Sequence, residues 1–203
     1  MIDFHNLGKY RENNRIEAKQ AIGGMPHSLW ETYSAFANTV GGVILLGVEE
    51  KPDKTLHVLG LPDPQLRVRQ FWEIVQDRSQ VSENILTPED VTVQEVDGKA
   101  IVAIEVPRAK RTSKPVFVGG DPFTGSYRRN GEGDYHCTAE EVRSMLRDRA
   151  SGAWDRQVVG ALSPAALDGG SVARYRALLP PSARFPGETG AFLTELNALA
   201  RDG

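Results

Sequence analysis

The chain has 203 residues and a net charge of −3, which allows one substantial hydrophobic core and at most a small appendage. Hydrophobic content of 40% and charged content of 25% are those of an ordinary globular protein, and no apolar run approaches the ~20 residues of a membrane helix. The acidic balance, with a pI near 5.8, argues against a dedicated duplex-DNA binder unless its basic residues are gathered on one face.

In chain order, "RIEAK" at 15–19 suits a short strand that sends Glu17 and Lys19 to one side. Pro26 and Ser28 then open a helix. Its stripe is Leu29, Tyr33, Phe36, Ala37 and Val40, and Gly41-Gly42 stops it. Trp30, Tyr33 and Phe36 share that helical spacing and read as core, with Asn38 as a helix-end cap. "VILLGV" at 43–48 reads as one strand buried on both faces, and "LHVLGL" as its returning partner. A second helix is predicted from Pro64 to Gln80. "VTVQEV", "DGK" and "AIVAIEV" form a hairpin around Asp97-Gly98. "PVFVGG" at 115–120 and "GSYRRN" at 125–130 are expected to pair. Thr138 with Glu141 is a capping box for the helix "AEEVRSMLRDRA".

After Ser151 the composition turns to Gly, Pro, Ala and Ser, and only "AFLTELNALARD" reads as a firm helix. The reading is an α+β fold, with a domain at 1–151 and a linker and helical tail at 152–203. The abrupt end suggests the start of a truncated further domain. The single cysteine, Cys137, excludes an intramolecular disulfide and cannot alone build a zinc site. It reads as a small buried residue. His5, His27, His57 and His136 show no ligand spacing. The N-terminus lacks a signal-peptide pattern, so a cytoplasmic protein with no membrane partner is expected.

Two constellations carry chemistry. Residues 106–115, "VPRAKRTSKP", hold Arg108, Lys110, Arg111 and Lys114 with no acid among them, and Arg128 and Arg129 follow in "SYRRNGEG". Together they make a candidate phosphate-binding face, with Tyr127 as the candidate for stacking on a single-stranded base. The second constellation is acidic. Phosphodiester cleavage needs a divalent ion to activate water and offset phosphate charge, and Mg²⁺ or Mn²⁺ takes carboxylate oxygens. Glu12, Glu17 and Glu50 are the candidate ligands and catalytic acids, with Lys19 beside them to contact phosphate or orient water. The competing reading makes Glu12 a surface acid, Glu17 a partner of Lys19 and Glu50 a turn residue.

Four stretches together resemble the Schlafen-type AlbA domain: Glu12, Glu17 and Lys19 at acid-x-x-x-x-acid-x-Lys spacing, "SAFANTVGG" at 34–42, "ILLGVEE" at 44–50 and "YRRNGEGDYHCTAEEV" at 127–142. They span roughly residues 10–150. The resemblance implies a small α/β unit around a sheet. It also implies a branch that cleaves tRNA and rRNA with two glutamates, matching Glu12 and Glu17, and an aspartate at the position of Glu50. Other relatives imply a non-catalytic DNA-binding or regulatory domain of a larger protein. The expected function is nucleic-acid binding, RNA favoured and DNA possible, with a candidate Mg²⁺- or Mn²⁺-dependent endoribonuclease site. The two-lobed arrangement of animal Schlafen proteins implies a homodimer here.

Overall fold

The computed structural model describes residues 3–150, 167–179 and 188–195. By its contacts the chain divides into two units, 1–152 and 153–203. In the first unit the elements run β1 (Ile16–Lys19), α1 (Ser28–Asn38), β2 (Gly42–Leu46), β3 (Val48–Glu50), β4 (Leu56–Val58) and α2 (Pro64–Gln76). There follow β5 (Val91–Val96), β6 (Lys99–Val106), a short α3 (Pro122–Gly125), β7 (Tyr127–Asn130), β8 (Gly133–His136) and α4 (Ala139–Ala150). The second unit contains α5 (Gly169–Leu178) and α6 (Thr189–Glu195). The predicted tail helix at 191–202 lies outside the described residues beyond 195.

The central sheet has the order β1-β2-β6-β5. β1 runs parallel to β2, as a crossover through α1 requires, and β2 and β5 are each antiparallel to β6. Both faces of the sheet are covered, which is why β2 is apolar along its length. Ile44 and Leu46 face a core with Leu29, Tyr33 and Phe36 of α1 and Phe71 and Val75 of α2. Leu45 faces a second cluster with Leu7, Ile16, Val48, Leu56 and Ile101. Trp30, Tyr33 and Phe36 are therefore core residues, at 5%, 0% and 0% exposure. The Asp97-Gly98 hairpin forms with positive φ at both residues, the backbone twist that suits a two-residue turn. In the capping box, Thr138 N–H donates to Glu141 Oε2 at 2.7 Å and Glu141 N–H to Thr138 Oγ1 at 3.2 Å.

Three elements depart from the sequence reading. The 43–48 run is two strands, because Gly47 adopts φ +85° and turns the chain from β2 into the separate β3–β4 ribbon. A Cβ at Gly47 would lie 2.9 Å from Leu61 Cγ, so a larger residue meets both backbone strain and a clash. α2 stops at Gln76, four residues short of Gln80, where Asp77 becomes extended and its carboxylate accepts from Ser79 N–H at 2.9 Å. Finally, 115–120 does not form a strand pair with 125–130; only a lone bridge joins Phe117 to Ser126. β7 pairs instead with β8 around a two-residue turn at Gly131-Glu132. Among the described residues no helix is long and apolar enough to cross a membrane.

Candidate nucleic-acid interface and acidic cluster

β1 delivers Glu17 to an interior position, 7% exposed. One carboxylate oxygen meets Lys19 Nζ at 2.6 Å, two residues along the same strand face. The other meets Arg129 Nη2 at 2.7 Å. Arg129 is 5% exposed and is fully used: Nη1 reaches Asp134 Oδ1 at 2.9 Å, and Nε and Nη2 donate to the Asn13 carbonyl at 3.2 and 2.8 Å. Its guanidinium also lies 5.2 Å from the centroid of the Phe36 ring. Asp134 is held in turn by Thr32 Oγ1 at 2.6 Å. Burial works against the Arg129 charge, but Asp134 and Glu17 outweigh it and raise its pKa. A buried arginine needs such partners, since an unpaired one would carry a large desolvation cost.

Glu12 and Glu50 stand nearby. Glu12 Oε1 accepts from Ala18 N–H at 2.9 Å. Burial pushes the Glu12 carboxyl up, the Ala18 amide lowers it, and the charges of Glu17 and Glu50 add to the rise. Glu50 Oε2 pairs with Lys54 Nζ at 2.9 Å, and Lys54 also meets Glu132 at 3.0 Å. The other oxygen of Glu50 is buried without a hydrogen-bond partner.

The three predicted ligands are thus close enough to repel one another, yet they are not arranged as a ligand set. Both Glu17 oxygens are engaged by cations, and no group of three or more His, Cys, Asp or Glu among the described residues is placed to hold a metal ion. In this arrangement the Glu17 carboxylate is satisfied by Lys19 and Arg129 and would have to leave them to hold an ion.

The basic residues separate into two kinds. Arg108, Lys110 and Arg111 are exposed on the loop after β6. Lys114 is 8% exposed, and its amine donates to the Asn38 carbonyl at the end of α1. That places the cation at the negative end of a helix dipole, but burial, and then the charge of Arg108, push its pKa down to about 8. Strand alternation separates Arg128 from Arg129. Arg128 takes the opposite face, half-buried, with its Nε 3.3 Å from Glu141 Oε1 but without a hydrogen bond, while Arg129 is committed to the interior. Arg129 is therefore corrected from a phosphate contact to an internal anchor. Burial raises the pKa of the Cys137 thiol to about 11, with the charge of Glu141 adding to the rise and those of Arg128 and Lys114 opposing it.

Tyr127 is half-buried, with its ring centroid 4.3 Å from that of His136 and its hydroxyl engaging Glu31. Asn38 is not the helix-end cap, which is Thr39. The Asn38 side chain donates to the Val116 and Tyr127 carbonyls at 2.8 and 3.0 Å and accepts from Val116 N–H at 2.9 Å, joining α1, β7 and the 114–118 segment. Asp134 was missed by the sequence reading. The signal for it was the "NGEG" turn, which sets Asp134 opposite Arg129.

A family described as Schlafen, AlbA_2 matches residues 12–138. The match spans most of the chain, and the chain belongs to this family. Among solved structures it is similar to the N-terminal domain of an ATP-dependent DNA helicase RecG-related protein from Nitrosomonas europaea. That likeness has 33% identity over 68% of this chain and 95% of the other, at a TM-score of 0.49. It is also similar to a protein from Corynebacterium diphtheriae, at 21% identity over 82% of this chain and 31% of the other, with a TM-score of 0.43. No curated protein matches it.

Proposed function

We propose that this chain is a nucleic-acid-binding module that holds phosphates through Arg108, Lys110, Arg111 and Arg128 without cutting the strand. One observation carries the reading. Three exposed cations, Arg108, Lys110 and Arg111, follow one another on a loop free of acids that leads into Lys114. A bundle of like charges with no carboxylate in the loop attracts a polyanion and lowers its own repulsion on binding. The preference for RNA over DNA rests on the family resemblance alone. Binding of labelled single-stranded RNA, single-stranded DNA and duplex DNA, compared by fluorescence anisotropy, tests it. Absence of binding to all three at low salt would overturn it.

A second reading is metal-dependent RNA hydrolysis, and the orphaned buried Glu50 oxygen beside Glu12 and Glu17 favours it. It requires Glu17 to leave Arg129 and Lys19. RNA cutting with Mn²⁺ present that EDTA stops and Glu17→Gln abolishes would establish it. Intact RNA in all reactions would leave binding alone. Two-fold pairing would bring two basic loops to one ligand; light scattering decides between a dimer and a mass near the 22.3 kDa of one chain.

A further inference from the structure

We infer that Tyr135, on the outward face of the β7–β8 hairpin, is a stacking platform for an unpaired base, with Arg128 beside it for the adjoining phosphate. This rests on the nucleic-acid reading above and gives it a substrate class: single-stranded or locally unpaired nucleic acid. Tyr135 is 54% exposed, and among the described residues its hydroxyl has no hydrogen bond. It stands directly opposite Arg128 in the hairpin register. Opposite residues of an antiparallel pair share a face, so Tyr135 and Arg128 leave the hairpin on one face and Tyr127 and Arg129 on the other; Arg128 is half-buried there, with its Nε 3.3 Å from Glu141 Oε1.

The ring lies close to a glycine. A Cβ on Gly133 would sit 2.7 Å from Tyr135 Cε2 and 2.9 Å from its Cζ and Oη. The hydroxyl end of the ring therefore lies against Gly133, while about half of the residue stays exposed to solvent. Gly133 does not have a positive φ, so close approach and not backbone conformation is what its lack of a side chain serves. An exposed aromatic ring in register with an arginine suits a base, because every base offers a π-face and its phosphate a charge. Duplex DNA keeps its bases stacked and has none to offer.

Anisotropy with a labelled 12-nucleotide oligo-U and a 12-base-pair duplex tests the assignment. Tyr135→Ala should weaken oligo-U binding about tenfold, the order expected for one stacked base. Duplex binding and the salt slope should not change. Tyr135→Phe and Tyr135→Trp should bind as wild type. Gly133→Ala should reproduce the loss by displacing the ring, with an unchanged melting curve. Equal oligo-U affinity for wild type and Tyr135→Ala would overturn the platform while leaving phosphate binding by the basic loop intact. No binding of either probe by wild type would overturn both readings.

Discussion

Glu17 and Arg129 form a buried ion pair at 2.7 Å, joining β1 to β7 across 112 residues of sequence. The pair pins the β7–β8 hairpin against the sheet edge and thereby sets which way Arg128 and Tyr135 face. Removing one partner of such a pair leaves the other charged and desolvated. Glu17→Ala should therefore cost about 3 kcal/mol of stability in urea unfolding. The double variant with Arg129→Met should cost less than the sum of the two singles. An unchanged midpoint for Glu17→Ala would mean that Glu17 stands free of Arg129, as a metal ligand would.

The raised pKa of Glu12 makes a prediction of opposite sign. A carboxyl whose folded pKa lies above its unfolded value binds its proton more tightly in the folded state. Its contribution to stability is present at low pH and is lost as pH rises through the folded pKa. At pH 7 the charge is a burden, caused by burial and by Glu17 and Glu50. Glu12→Gln keeps an oxygen for Ala18 N–H and should be at least as stable as wild type at pH 7, with the advantage disappearing as pH falls below the carboxylate range. Paired urea melts at pH 4 and pH 7 check this; a clear loss at pH 7 would contradict it.

Lys114 behaves in the mirror sense. Its amine falls from an ordinary 10.5 to about 8, so the folded protein releases this proton before the unfolded chain does. Stability should rise with pH between about 8 and 10.5, where the unfolded state still holds the proton. Lys114→Met should remove that rise. Thermal melts across this interval report it, and parallel curves for the two proteins would show that Lys114 is solvated.

Much of the fold was legible because its signals are local. α1, the Asp97-Gly98 hairpin and the Thr138–Glu141 box follow from side-chain period, turn chemistry and capping, whereas β1 is four residues and too short for a period to decide. The break at Gly47 was not legible, since an unbroken apolar run conceals a kink decided by the approach of Gly60 and Leu61. The partner of β7 was misread because "PVFV" is rich in strand formers, while β8 is short and polar. What selects β8 is the Gly131-Glu132 turn and the Arg129–Asp134 pair. Alternation along β7 was enough to send Arg128 and Arg129 to opposite sides, but adjacency made them look like one patch. Glu12 feels the charges of Glu17 and Glu50, but the Arg129 partner of Glu17 was not legible, because Arg129 comes from the far end of the domain.

The central claim is that the acid-free loop binds phosphate, and one salt titration addresses it most directly. Anisotropy of labelled oligo-U should be followed from low to moderate salt for wild type and for the triple variant Arg108→Ala, Lys110→Ala, Arg111→Ala. Each phosphate contact on a single strand contributes about 0.7 to the slope of log affinity against log salt. The variant should therefore bind more weakly, with a slope shallower by roughly 2 if all three residues make contact. Identical affinity and slope in the two proteins would contradict the account.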